Sequence, residues 1–102
     1  MEMKIVSENE VNLVLAFKGT LDTNGADSAA HWFYGLLDDI NKNVVIDFSG
    51  VSYLSSAGIR LLLSGAKLTL RNNFKLYITE PVPDVLKILK MAGLELLLLF
   101  PQ

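Results

Sequence analysis

Apolar residues recur along this chain at two different periods, and the switches between them lay out a fold. Over residues 11–18, Val11, Leu13, Leu15 and Phe17 point one way and Asn12 and Lys18 the other. That period of two predicts a half-buried strand, which Gly19 ends. Residues 3–7 are short and mixed and predict an edge strand, with Glu8-Asn9-Glu10 as the turn between the two. Residues 21–25 form a polar loop that offers helix N-caps. Over 26–40 the period lengthens to about 3.6, placing Ala26, Ala29, Ala30, Phe33, Leu36, Leu37 and Ile40 on one stripe. His31, Asp38 and Asp39 fall opposite, and Trp32 and Tyr34 flank the stripe. After the break at Asn41-Lys42-Asn43, residues 44–48 are almost continuously apolar, the mark of a strand covered on both faces.

Residues 49–56 read as a loop and 56–71 as a second helix. Its core stripe is expected to be Ile59, Leu62, Leu63, Ala66 and Leu70. A second stripe of Leu61, Ser64, Gly65 and Leu68 is assigned to internal packing, with partner docking and self-association as the alternatives. Asn72-Asn73 stops this helix, and 74–79 predicts a strand. Pro83 suits the first position of a third helix, with Asp84 in its first turn and Lys87 and Lys90 towards its end. Gly93-Leu94 suits a left-handed C-cap with its hydrophobic contact. Residues 96–100 predict a last strand closed by Pro101. The order ββαβαβαβ predicts an α/β fold: a mixed sheet of about five strands, partly parallel, with three to four helices. With no linker and no repeat, one domain is expected over 1–102.

Composition narrows the function. Of the 102 residues 51% are apolar and 20% charged, enough for a packed core and too apolar for a disordered chain. The net charge is −2 and the nine basic residues are scattered, so neither nucleic acid nor an anionic membrane surface is expected as a partner. There is no cysteine, which removes disulfides and thiolate metal sites. The longest apolar run is too short to span a bilayer and the N-terminus lacks a signal-peptide core, so a cytoplasmic location is expected. No cofactor and no metal site are expected, because no ligand cluster has workable spacing. No catalytic set is expected either, since His31 is the only histidine. Residues 64–69, SGAKLT, lack the first glycine of a phosphate loop and fall in mid-helix.

The informative stretch is 44–64, VVIDFSGVSYLSSAGIRLLLS. A buried strand runs into a loop, and Ser55-Ser56-Ala57-Gly58 then opens a helix. Free backbone N–H groups and the positive end of the helix dipole point out there. Either Ser55 or Ser56 can cap the helix, and the small Ala57 and Gly58 let another chain come close. Asp22 can cap the first helix in the same way, and Asp47 reads as a hydrogen-bonded strand end.

This stretch resembles the STAS domain of bacterial anti-sigma factor antagonists. Asp47 matches the strand's apolar-Asp-apolar pattern, Ser55-Ser56-Ala57-Gly58 the helix start, and residues 59–63 the Leu-rich helix. Gly19-Thr20-Leu21-Asp22 is similar to the family's Gly-x-Leu-Asp loop, and residues 85–94 to its third helix. The resemblance implies a protein that binds a kinase-type anti-sigma factor and leaves it when one serine is phosphorylated. It places the acceptor on Ser56, with Ser55 as the rival because it stands where the family has an acidic residue. It further implies a partner face of Asp22, Thr23, Ser55, Ser56, Ala57, Gly58, Arg60 and Leu61. A resetting serine phosphatase and a weak homodimer are the other partners it admits. The alternative reading is a STAS subunit that is never phosphorylated, such as a scaffold of a transport ATPase.

Overall fold

The computed structural model describes residues 1–99, which form β1 (Glu2–Glu8), β2 (Asn12–Leu21), α1 (Thr23–Asp38), β3 (Asn43–Leu54), α2 (Ser56–Arg71), β4 (Leu76–Thr79), α3 (Pro83–Met91) and a 3-10 turn at Glu95–Leu98. The sheet has the order β1-β2-β3-β4. The first pair is antiparallel and the other two are parallel. This is the mixed α/β architecture expected from the sequence, with four strands among the described residues in place of about five.

The missing strand is the one expected at 96–100. After α3 the chain makes a Schellman turn. Gly93 is left-handed at φ 79°, Gly93 N–H donates to the Lys90 carbonyl, and Leu94 N–H donates to that of Leu89 at 3.0 Å. Leu94 is buried beneath the turn, so the expected C-cap is present. The following leucines continue into the 3-10 turn, which lies against β4. Leucine is among the better helix formers, and a short apolar run does not by itself distinguish strand from helix. Phe100 and Pro101, the end of that expected strand, lie outside the described residues.

Two strands run further than the period-two pattern suggests. β2 continues through Gly19, whose φ of 112° accommodates a register shift, to Leu21. β3 continues through 49–54, expected to be loop, because Lys18, Gly19, Thr20 and Leu21 pair with Gly50, Val51, Tyr53 and Leu54. Within β3, Val44, Val45 and Ile46 are all buried, so the strand is covered on both faces as expected.

Both crossovers, β2-α1-β3 and β3-α2-β4, link parallel neighbours. The right-handed rule places their helices on one face of the sheet, and α1 and α2 pack side by side. The core there is aromatic. Phe17 meets Phe33 edge-on, with centroids 5.5 Å apart, and stacks on Phe48 at 5.9 Å. Helix α1 buries Ala26, Ala29, Phe33 and Leu37, as its stripe predicts.

Helix α2 faces differently from the expectation. It buries Gly58, Leu61, Leu62, Gly65 and Thr69, whereas Leu63 and Leu70 are 38% and 64% exposed. The stripe of Leu61 and Gly65 is therefore core. The reason is close approach. A Cβ on Gly65 would lie 2.5 Å from Phe33 Cε2 and 2.8 Å from its Cζ, so only glycine lets α2 settle against that ring. The buried Thr69 hydroxyl is satisfied by donating to the Gly65 carbonyl at 2.8 Å.

Gly35, in contrast, is an exposed position inside α1 with nothing within 4 Å of an added Cβ. Gly35→Ala is expected to stabilise the fold by about 0.5–1 kcal/mol, through helix propensity and a less flexible unfolded chain. A thermal melt checks this: the midpoint should rise by a few degrees.

Candidate functional site

Parallel strands β2 and β3 end side by side, with Leu21 paired to Leu54. Each is followed almost at once by a helix, so the starts of α1 and α2 are neighbours at the carboxyl end of the sheet. Open α/β sheets place binding sites at such ends.

Each start has its own cap. Asp22 caps α1: its Oδ1 accepts from Gly25 N–H at 2.7 Å and its Oδ2 from the Thr20 hydroxyl at 3.4 Å. Ser55 caps α2, its Oγ accepting from Gly58 N–H at 3.2 Å. The same hydroxyl donates to the Leu21 carbonyl at 3.0 Å, and Ser55 N–H donates to that oxygen at 3.0 Å as well. One carbonyl at the end of β2 thus ties down the start of α2. Gly58 sits directly over it, where a Cβ would come 2.5 Å from the Leu21 oxygen and 2.7 Å from Leu54 Cδ1.

The two candidate serines are therefore unlike. Ser55 is half-buried and its hydroxyl is used both as donor and as acceptor. Ser56 is exposed at the first helical position, and its hydroxyl has no partner among the described residues. The first turn of α2 carries no acidic residue, so nothing there offsets the positive end of the helix dipole. Arg60, one turn further on, is exposed and without an ion pair among the described residues.

Of the remaining expected partner residues, Thr23 is exposed at the start of α1, Asp22 and Ala57 are half-buried, and Gly58 is buried against the strands. Leu61 is a correction. At 3% exposure it belongs to the core, since the face of α2 that Gly65 turns inward includes it, and no partner can reach it. The structure adds Tyr53, which is 51% exposed near the end of β3, two residues before Ser55. Reading 49–56 as loop hid it. Strict alternation would not have found it either, since it puts Tyr53 on the face of the buried Val51; the register shift opposite these residues turns the ring outward.

Asp47 is hydrogen-bonded as expected, its Oδ1 accepting from Ser49 N–H at 2.9 Å, but it stands inside β3 rather than at a strand end. It also lines a groove of about 830 Å³ with Lys4, Val6, Lys18 and Gly50. That groove lies beside β1 and contains neither Ser55 nor Ser56. Among the described residues no group of acidic, histidine or cysteine side chains could hold a metal ion. No helix there is long and apolar enough to cross a membrane.

The sequence model of the STAS domain matches residues 2–102. No curated protein sequence matches the chain. Among solved structures the chain is similar to the anti-sigma factor antagonist SpoIIAA in its unphosphorylated form, with a TM-score of 0.70 and 14% identity over 88% of this chain and 83% of that one. It is similar also to the Bacillus cell fate determinant SpoIIAA in its phosphorylated form, with a TM-score of 0.69 and 16% identity over 92% and 86% of the two chains. A third likeness, to Mglu, has a TM-score of 0.64 and 19% identity, covering 78% of this chain and 20% of that one. At these identities the likeness is one of fold.

Proposed function

The chain belongs to the STAS domain family, and from that membership we propose that it is an anti-sigma factor antagonist switched by phosphorylation of Ser56. In its unmodified form it binds an anti-sigma factor kinase through the paired helix starts, which frees the sigma factor for transcription. The kinase then transfers the γ-phosphoryl group of ATP to Ser56 Oγ. The hydroxyl proton leaves to a base of the kinase, ADP is released, and the complex separates. A serine phosphatase restores the hydroxyl. The chain is a cytoplasmic binding protein in this reading and not an enzyme, folded as one domain over 1–102.

The observation that carries the reading is the difference between the two serines. Ser56 offers an exposed, unbonded hydroxyl at the first position of α2, while that of Ser55 is committed to Leu21 and Gly58. Ser55 thereby fits the role of fixing the helix start and Ser56 that of acceptor. Two structural neighbours are an anti-sigma factor antagonist in unphosphorylated form and a cell fate determinant in phosphorylated form, which supports a fold that carries the modification intact. A helix N-terminus tolerates the added charge. The partner face is Asp22, Thr23, Ser56, Ala57 and Arg60, supported by the half-buried Ser55 and the buried Gly58.

The test is incubation with an anti-sigma factor kinase that binds the chain, with ATP, read by intact mass and peptide mapping. One phosphate on Ser56, absent from Ser56→Ala and retained in Ser55→Ala, is the expected result. Phosphate on Ser55, or none on a chain that binds the kinase, contradicts the reading.

A further inference from the structure

We infer that Arg60 is the counter-ion of the phosphate on Ser56, so that the modification is gathered onto α2 by an intrahelical ion pair. This rests on the reading of Ser56 as acceptor. Residues four apart on a helix are surface neighbours, with Cβ atoms roughly 6 Å apart, and an acidic group N-terminal to a basic one is the favourable order. Ser56 and Arg60 stand in that relation, and both are exposed. Arg60 has no competing carboxylate among the described residues, where the ion pairs are Lys42–Glu8 and Arg71–Asp38. Asp22, at the neighbouring helix start, has one oxygen on Gly25 N–H and the other on the Thr20 hydroxyl. The guanidinium is a planar fork that matches phosphate oxygens two at a time.

The pair changes what the switch does. In the unmodified protein the surface beside Ser56 presents a cation with no ion pair among the described residues. After phosphorylation a dianion appears and the same cation is withdrawn to neutralise part of it. One modification both adds negative charge to this surface and withdraws a positive charge from it.

The pair also favours the dianion over the monoanion by about one charge–charge interaction, so the phosphate's second ionisation falls below its ordinary value of about 6. Asp22 and Asp27 at the start of α1 and Tyr53 at the end of β3 are the other titratable groups of the paired helix starts. They are unchanged when Arg60 is replaced, so the difference between variants isolates the guanidinium.

Phosphoserine installed at 56 by amber suppression in the full chain provides the test, with ³¹P NMR titration of wild type, Arg60→Ala and Arg60→Lys. The phosphate midpoint is expected to rise by about 0.4 in Arg60→Ala. Arg60→Lys should retain most of the lowering, and the difference should shrink at about 1 M salt, where the Debye length is roughly 3 Å. Coincident titrations of wild type and Arg60→Ala overturn the pair. Because no kinase is used, the two failures are distinguishable: a kinase that ignores Ser56 defeats the proposed function, whereas coincident titrations defeat the ion pair.

Discussion

Phe33→Ala is expected to destabilise the fold by about 3–5 kcal/mol. The ring is fully buried and makes an edge contact with Phe17 and a tilted contact with Tyr34, at 5.5 and 6.0 Å between centroids. It is also the surface on which α2 rests, since Gly65 leaves room for it and for nothing larger. Truncation removes the transfer energy of the ring and leaves a void between α1 and α2 that neither helix can close, both being anchored at their starts by Asp22 and Ser55. A domain of this size has only about 5–15 kcal/mol of net stability, so much of it would be lost. Urea unfolding checks the result, through a large fall in the midpoint with little change in slope. A loss under about 1 kcal/mol would mean that the two helices do not meet at this ring.

Phosphorylation of Ser56 is expected to weaken binding of the anti-sigma factor kinase by more than 100-fold, the effect of a penalty of about 3 kcal/mol. The phosphate brings roughly two negative charges to the surface that the partner covers in the proposed complex. Within this chain the charge is accepted by the free N–H groups of α2 and by its dipole. A partner face fitted to a hydroxyl has no matching donors, and a desolvated charge left unpaired there is strongly unfavourable. Separation therefore follows without any rearrangement of the fold. Calorimetric titration of the kinase with unmodified and phosphorylated chain measures the ratio, and Ser56→Ala should bind like the unmodified form. A phosphorylated chain that binds within about threefold of the unmodified one, less than 1 kcal/mol apart, would defeat the switch.

What the sequence determined by itself was the succession of elements as far as α3, and it pointed to the start of α2 as the candidate surface. The continuous apolar run at 44–48, Pro83 and Gly93 each report a local backbone preference and appear where expected, while α1 begins at Thr23, three residues ahead of the change of period at 26. The resemblance carried by Ser55-Ser56-Ala57-Gly58 pointed to the start of α2 before any contact was visible. Three things were decided only in tertiary structure. Which face of α2 turns inward depends on Phe33 and Leu37 filling the space over Gly65, residues of another helix, whereas periodicity registers apolarity and not closeness of approach. How far β2 and β3 run depends on their pairing with each other past Gly19, where the alternation has already failed. Which serine is free depends on the Leu21 carbonyl, 34 residues earlier in the chain, accepting the hydroxyl of Ser55 and leaving that of Ser56 to solvent. Local preferences act over a few neighbouring residues and can be read in order. The identity of the unbonded hydroxyl follows from a contact that exists only once two parallel strands have been brought to end side by side.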